Sequence, residues 1–588
     1  MFKSCSPYLK MFCEKGINWH FSLTPELLKK NEVEDKLIFL HIGYVSNINI
    51  RESSVALFSD PDVQKILNEN FLCIIEDKED KPESFLLALD LLFLNQDFSY
   101  GPMNMFIMPD RRPIVAFSEC NPRNFVNIAN SLLAAKREKR DKLEELSETL
   151  TITALNTGVI TNKQSEIPID RNLLDRYVES WFDSMFNKGF IYKIKPYTPN
   201  PSGLYTVIEY LAGNTRSKYF SKMEEILDHL HYSSLFDPIE GGFFRQAADY
   251  SCTVPFYEKT LEENSRFLLL YSAAYKLYGK ESYRETAEKV FKFIITSLSL
   301  SQGGYVNSTT ILEPIDKADY YSFSLNELSI LFPGNYQEIA ENLGISITTE
   351  KKRKQIPVRT PDLYQKLTDE HFKLLIARRK EHKGYYRDTR VITASNASAI
   401  AAMATASRYL GNPVMYQRAL VLFEHIVYHN TDPVNGKLFR YTCGSEAYLP
   451  GYLSDYAYFI EASLELHKTL HKEEYLSVAK RYTDLVMTLF YKPENGMFSK
   501  SELGLNQETF PFKRESNTDI VRPSANSIMA GNLISMYELT DNSSFLDAAK
   551  KQISNIAPNL LSSGPLLSSW AHKILKLIYL DSIKPEED

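Results

Sequence analysis

The chain has 588 residues, 44% of them hydrophobic and 24% charged, which is too long for one compact core and implies two or more domains. A formal net charge of −7 and a pI near 6.0 leave no basic footprint for nucleic acid or an anionic membrane surface. No window approaches the ~20 uncharged apolar residues of a membrane span. The opening "MFKSCSPYLKMFCEKG" also lacks the apolar core of a secretory leader, so a cytoplasmic setting is expected.

Residues 1–135 read as a small α/β sandwich. "DKLIFLHIG" is a buried strand, and "DPDVQKILNENF" is a helix opened by Asp60, with Val63, Ile66 and Leu67 at helical spacing. "FLCIIED" is a second strand, "ESFLLALDLLFL" a helix, and "MNMFIMPDRRPIVAF" a hairpin turning at Pro109-Asp110. Residues 136–169 are charged and then polar, and read as a helical linker.

From residue 170 to 588, long helical segments dominate. A Gly-aromatic signature recurs between helix pairs at Gly189, Gly242, Gly304, Gly384, Gly436 and Gly496, at intervals of 53, 62, 80, 52 and 60 residues. Six helical hairpins of this kind predict an (α/α)6 toroid whose inner helices line a funnel, with the segment before Gly384 as a loop beside its mouth; an open solenoid of the same repeat, with its two end hairpins exposed, is the alternative. The run Lys351-Lys352-Arg353-Lys354 is expected to be a solvated stretch within that loop.

Scattered motifs then become recognisable as a set. They are "SPYL" (Ser6–Leu9), Gly43-Tyr44, "LNENF" (Leu67–Phe71), "PMN" from Pro102, and Pro109-Asp110. The helical region adds "GGFFR" (Gly241–Arg245), "VPFYEK" (Val254–Lys259), "RDTRVITASN" (Arg387–Asn396), "DYA" (Asp455–Ala457) and "RPSANS" (Arg522–Ser527). In this order and spacing the chain resembles the spermatogenesis-associated protein 20 family, also described as thioredoxin domain-containing proteins. The resemblance implies a thioredoxin-like domain followed by a six-hairpin domain of the glycosidase and sugar-epimerase type.

The chain departs from that family at telling places, as a degenerate member would. The family's C-x-x-C cysteines fall here at Asn47 and Ile50, and without a thiolate and its resolving partner thiol–disulfide exchange cannot run. A family His is replaced by Phe256, a Trp by Ser395 and a Gly by Ala397. The family's acidic stretch after the third glycine repeat is replaced by "STTILEPIDKAD".

A six-hairpin glycosidase needs a carboxylic acid and a carboxylate base, about 6.5–9.5 Å apart for inversion. An epimerase needs bases on both faces of a carbon. Retained polar residues near the glycine repeats are the expected site: Glu258 and Asp388 as acid/base groups, with Arg245, Asp249, Lys259, Arg387, Asn396, Asp455, Tyr456 and Asn526 contacting a carbohydrate-like ligand. Each has a structural alternative, such as Asp455 or Asn396 as a helix cap and Glu258 in an ion pair. A non-catalytic binding or assembly scaffold is the competing reading of the whole chain.

No cofactor is implied. No G-x-S-x-G, G-x-x-x-x-G-K-[ST] or G-x-G-x-x-G occurs, and the pairs His425/His429 and His467/His471 lack the glutamate of a zinc-protease helix.

Overall fold

The computed structural model describes residues 4–583 except 14–15, 95–100, 158–166, 188–195, 314–318, 362–363, 383, 506–508, 511–514, 516 and 521. The chain divides into two compact units, residues 1–160 with 499–516, and residues 161–498 with 517–588.

The first unit is built on a five-stranded sheet: β1 (Trp19–His20), β2 (Leu37–Gly43), β3 (Phe71–Asp77), β4 (Met103–Ile107) and β5 (Pro113–Phe117), in the order β1-β3-β2-β4-β5. β1, β3 and β2 run parallel, and β4 and β5 follow antiparallel. Every residue of β2 is buried, as expected for a strand covered on both faces. The helices expected at 61–70 and around 82–94 are present. The sandwich extends past residue 135. Helix Arg140–Thr157 packs on β5 and on the helices Pro82–Leu94 and Pro122–Glu138, so the helical half of the expected linker belongs to this unit.

The second unit is a closed ring of helical hairpins. Six inner helices, Pro201–Ala212, Leu261–Tyr278, Thr393–Leu410, Leu453–Leu470, Ala525–Thr540 and Ser568–Ile583, each pack on the next, and the last packs on the first. Outer helices Phe220–Tyr232, Glu281–Phe293, Pro413–His429, Glu473–Leu489 and Ser543–Ile556 each pack on the inner helix before them, while Arg171–Phe182 packs on the last. The inner helices are buried on nearly every face, Thr393–Leu410 above all, whereas Glu281–Phe293 and Ser543–Ile556 bury one stripe each. Among the described residues no helix is long and apolar enough to cross a membrane.

Three of the glycine repeats that the structure describes, Gly242, Gly304 and Gly496, precede an inner helix in the same way, and Gly436 does so in variant form. Gly189 lies outside the described residues. Gly384 differs, since it precedes strand Tyr385–Asp388, which pairs with Ser308–Ile311. The sixth outer-to-inner connection is instead the one holding Gly564. The segment before Gly384 is not a simple loop. Its helices Leu325–Leu331, Tyr336–Asn342 and Asp369–Lys380 close over a small core of Leu328, Phe332, Ile339, Leu343, Tyr364 and Leu375. Lys354 of the basic run is tied to Glu327 at 2.7 Å.

Candidate functional site

The expected site residues cluster at the N-terminal ends of the inner helices, and there the structure gives most of them structural partners. Asn396, in the first turn of the third inner helix, accepts from the Tyr305 N–H at 3.0 Å and donates to the Tyr305 and Ile392 carbonyls at 3.0 and 2.9 Å. Asn526 holds Phe498 in the same way at 2.8 and 3.0 Å, and Asn264 holds Phe243 at 2.7 and 3.1 Å. Each amide therefore latches the aromatic residue of a Gly-aromatic turn to the next inner helix, satisfying two buried backbone groups at once. In the fourth repeat Tyr456 takes over, its hydroxyl accepting from the Leu438 N–H at 3.0 Å.

The charged candidates are paired. Glu258 lies 3.6 Å from Arg245, which also meets Glu263 at 3.2 Å. Asp388 accepts from Arg390 at 2.7 Å. Asp455 accepts from Arg440 at 2.8 Å and from the Ala394 and Tyr452 N–H groups, each at 2.9 Å. Burial pushes the Asp455 carboxyl up, with Arg440 opposing. Lys259 is fully buried between Asp237 (2.7 Å) and the rings of Phe244, Phe293 and Tyr321. Arg379 reaches the same Asp237 at 2.8 Å. Burial pulls Lys259 down, and Arg379 with Lys259 overcomes the burial of Asp237 to hold that carboxyl low. Asp249 caps a turn through the Ser251 N–H, and Arg387 donates to the Ser299 carbonyl. Phe256 sits on strand Pro255–Phe256 beside Gln246, and Ser395 and Ala397 are fully buried.

The ring encloses a cavity of about 290 Å³ along its axis, and none of the ten expected residues lines it. Its walls come from all six inner helices. Glu209, Arg266, Arg408, Glu461, Glu465, Lys468, His572, Lys573 and Lys576 project charge or titratable groups, and Tyr205, Tyr409 and Tyr579 supply aromatic faces. Burial raises the Glu209 carboxyl, although Lys276, Tyr205 and Tyr409 pull the other way. Glu465 is engaged by Lys468 at 3.0 Å, by Thr405 at 2.9 Å and by Arg408, and these cations hold its carboxyl low against burial. Among the described residues, one carboxylate oxygen of Glu461 and one terminal nitrogen of Arg266 are buried without a hydrogen-bond partner. Burial and the neighbouring lysines hold His572 far below its ordinary value, so its ring is neutral. Burial beside Lys468 pulls Lys576 down to about 7.

Periodicity reading missed this site because its groups lie mid-helix, away from the glycine turns, and match no catalytic motif. The available signal was charge within a helix that is buried on nearly every face, as with Glu461 and Glu465 in "YAYFIEASLEL". Among the described residues no group of three or more His, Cys, Asp or Glu side chains is placed to hold a metal ion.

In the first unit, the loop after Gly43-Tyr44 leads into helix Ile48–Phe58. Asn47 is its cap, accepting the Ile50 N–H at 3.2 Å. The two positions where the resemblance places cysteines thus face each other as cap and capped residue. Buried His41 lies between Tyr8 and Asn104, at 2.6 and 2.8 Å, and burial lowers it to about 4.

Residues 1–155 match the family described as Thioredox_DsbH, protein of unknown function, DUF255. The chain is 22% identical to mouse spermatogenesis-associated protein 20 over 92% of its own length and 76% of that protein, with the same figures for the human protein. Among solved structures it is similar to a family 76 α-mannanase from Bacteroides thetaiotaomicron (TM-score 0.43, 13% identity, 70% of this chain and 96% of that one). It is also similar to cellobiose 2-epimerase from Bacillus thermoamylovorans (TM-score 0.42, 10% identity, 65% and 85%). The ring closure is established by the chain's own helix packing and needs neither. Over 92% of its length the chain is similar to the spermatogenesis-associated protein 20 proteins, the resemblance that its motifs implied.

Proposed function

We propose that the toroid binds a polar, carbohydrate-like small molecule in its axial cavity, and that the first unit serves as a redox-inactive scaffold. The observation that carries the reading is the lining. Donors, acceptors and three tyrosines converge from six helices on one cavity near the lower end of the about 300–1,000 Å³ range of small-molecule sites. Tyrosines suit the mixed apolar and hydroxylated faces of a sugar.

Any acid–base chemistry would fall to Glu209 and Glu461. Burial favours the protonated form of Glu209, as an acid requires, and Glu461 has a free carboxylate oxygen. Glu258 and Asp388, the pair expected from sequence, each spend their charge on an arginine.

The non-catalytic reading is favoured by Asn47 and Ile50 in the first unit. A thermal-shift screen with neutral and charged monosaccharides and disaccharides tests ligand binding. A sugar that raises the unfolding temperature supports the site, and Glu461→Gln should keep that binding while removing turnover. A flat response across the panel refutes the reading.

A further inference from the structure

The cavity brings together five cationic side chains, Arg266, Arg408, Lys468, Lys573 and Lys576, against three carboxylates, Glu209, Glu461 and Glu465. Two of the five are already committed, since Arg408 and Lys468 both engage Glu465. Lys576 meets Glu538 at 3.3 Å, the Gly531 carbonyl at 3.2 Å and the Ser535 hydroxyl. Arg266 meets Glu262 at 3.2 Å through one nitrogen and leaves another buried and unpaired.

Lys573 is the exception. Its residue is 7% exposed, it faces the cavity, and among the described residues its ammonium meets only the His572 ring nitrogen, at 3.4 Å. Glu461 lies near enough to act on it through space, without a direct ion pair. A buried ammonium without a counter-ion is costly to hold, and the fold makes room for it. A Cβ at Gly531 would stand 2.8 Å from the Lys573 Cδ and Cε and 3.0 Å from Nζ, so the glycine lets the lysine stem lie across the fifth inner helix.

We infer that the cavity takes an acidic sugar, one bearing a phosphate or carboxylate group, with Lys573 as the anchor for the anion and Arg266 and Lys576 beside it. This rests on the axial cavity being the ligand site. An anion there would accept from Lys573 and from the free Arg266 nitrogen, giving each a charge-assisted hydrogen bond. Burial already pulls the Lys573 ammonium down, and a bound anion would reverse that.

The test is calorimetric titration of the full chain with glucose, glucose 6-phosphate, glucuronate and inorganic phosphate. It is repeated on Lys573→Met and Gly531→Ala, with circular dichroism confirming that each variant folds. Tighter binding of glucose 6-phosphate or glucuronate than of glucose, weakened at least tenfold in both variants, is the expected result. The stronger of the two acids identifies the group. Inorganic phosphate binding alone, with no sugar response, overturns the acidic-sugar assignment. Glucose binding as well as the acids in wild type and both variants overturns it too, while leaving the cavity as a neutral-sugar site. No binding by any probe removes both this inference and the reading it rests on.

Discussion

Asp519 shows how one buried carboxylate ties the ring together. It accepts from the Ser524 N–H at 2.9 Å, the Ser569 N–H at 2.7 Å and the Ser569 hydroxyl, joining the N-terminal ends of the fifth and sixth inner helices. Burial outweighs these bonds and raises its carboxyl to about 6. A raised carboxyl contributes stability that is fully present below its unfolded value, near 4, and lost as the pH climbs through about 6. Asp519→Asn removes that dependence. The wild-type advantage over the variant in urea-denaturation free energy should therefore shrink between pH 4 and pH 6, by up to about 2 kcal/mol. A difference that stays constant or grows over that window contradicts the shift. The residue scale is also where sequence reading was weakest. Polar residues beside glycine turns, such as Asn396 and Asp455, looked like ligand contacts but are latches and caps. Lys573 and Glu461 lie mid-helix, each with further charges on its own helix (Lys576 and Glu465), and no catalytic motif marks either.

At the scale of the element, the repeat is more than a turn signal. Gly242 has φ +79, and a Cβ there would come within 2.6 Å of the Phe293 ring and 3.0 Å of the Asn264 amide. The glycine thus clears the space in which the asparagine grips the following aromatic residue. The period was legible because glycines recur at these turns, with positive φ at Gly242, Gly436 and Gly496. The asparagine partner was not, since it lies 21 residues on in one repeat and 91 in another, the difference being the helical insertion. Asn396→Ala should strand the Tyr305 N–H and C=O in the interior, at a cost of about 2–4 kcal/mol for two buried polar groups. Equilibrium unfolding measures the loss. Asn396→Asp should recover little of it, because a carboxylate supplies no donor and buries a charge. A cost below about 1 kcal/mol for the alanine variant would mean that the latch carries no load.

At the scale of the whole molecule, the order of domains and the repeated hairpins were readable from the spaced glycines, but closure of the ring came from the helix packing and the path of the chain was not readable. Residues 499–516 leave the helical unit and belong to the first one, a return that no local pattern marks because it serves contacts across more than 400 residues. There the Thr509 hydroxyl donates to Glu76 on β3, 433 positions away. Glu76 is 1% exposed, and burial raises its carboxyl, so each donor it keeps matters. Thr509→Val replaces that donor with a methyl group and should cost about 1–3 kcal/mol, felt by the first unit alone. Hydrogen exchange gives the readout. Amides of Phe71–Asp77 and Leu37–Gly43 should lose protection in the variant, while those of the inner helix Thr393–Leu410 keep theirs. Equal loosening of both sets would mean that the returning segment supports the ring instead of the sheet. Unchanged exchange in β3 would mean that Glu76 draws its support from its own unit's first 160 residues.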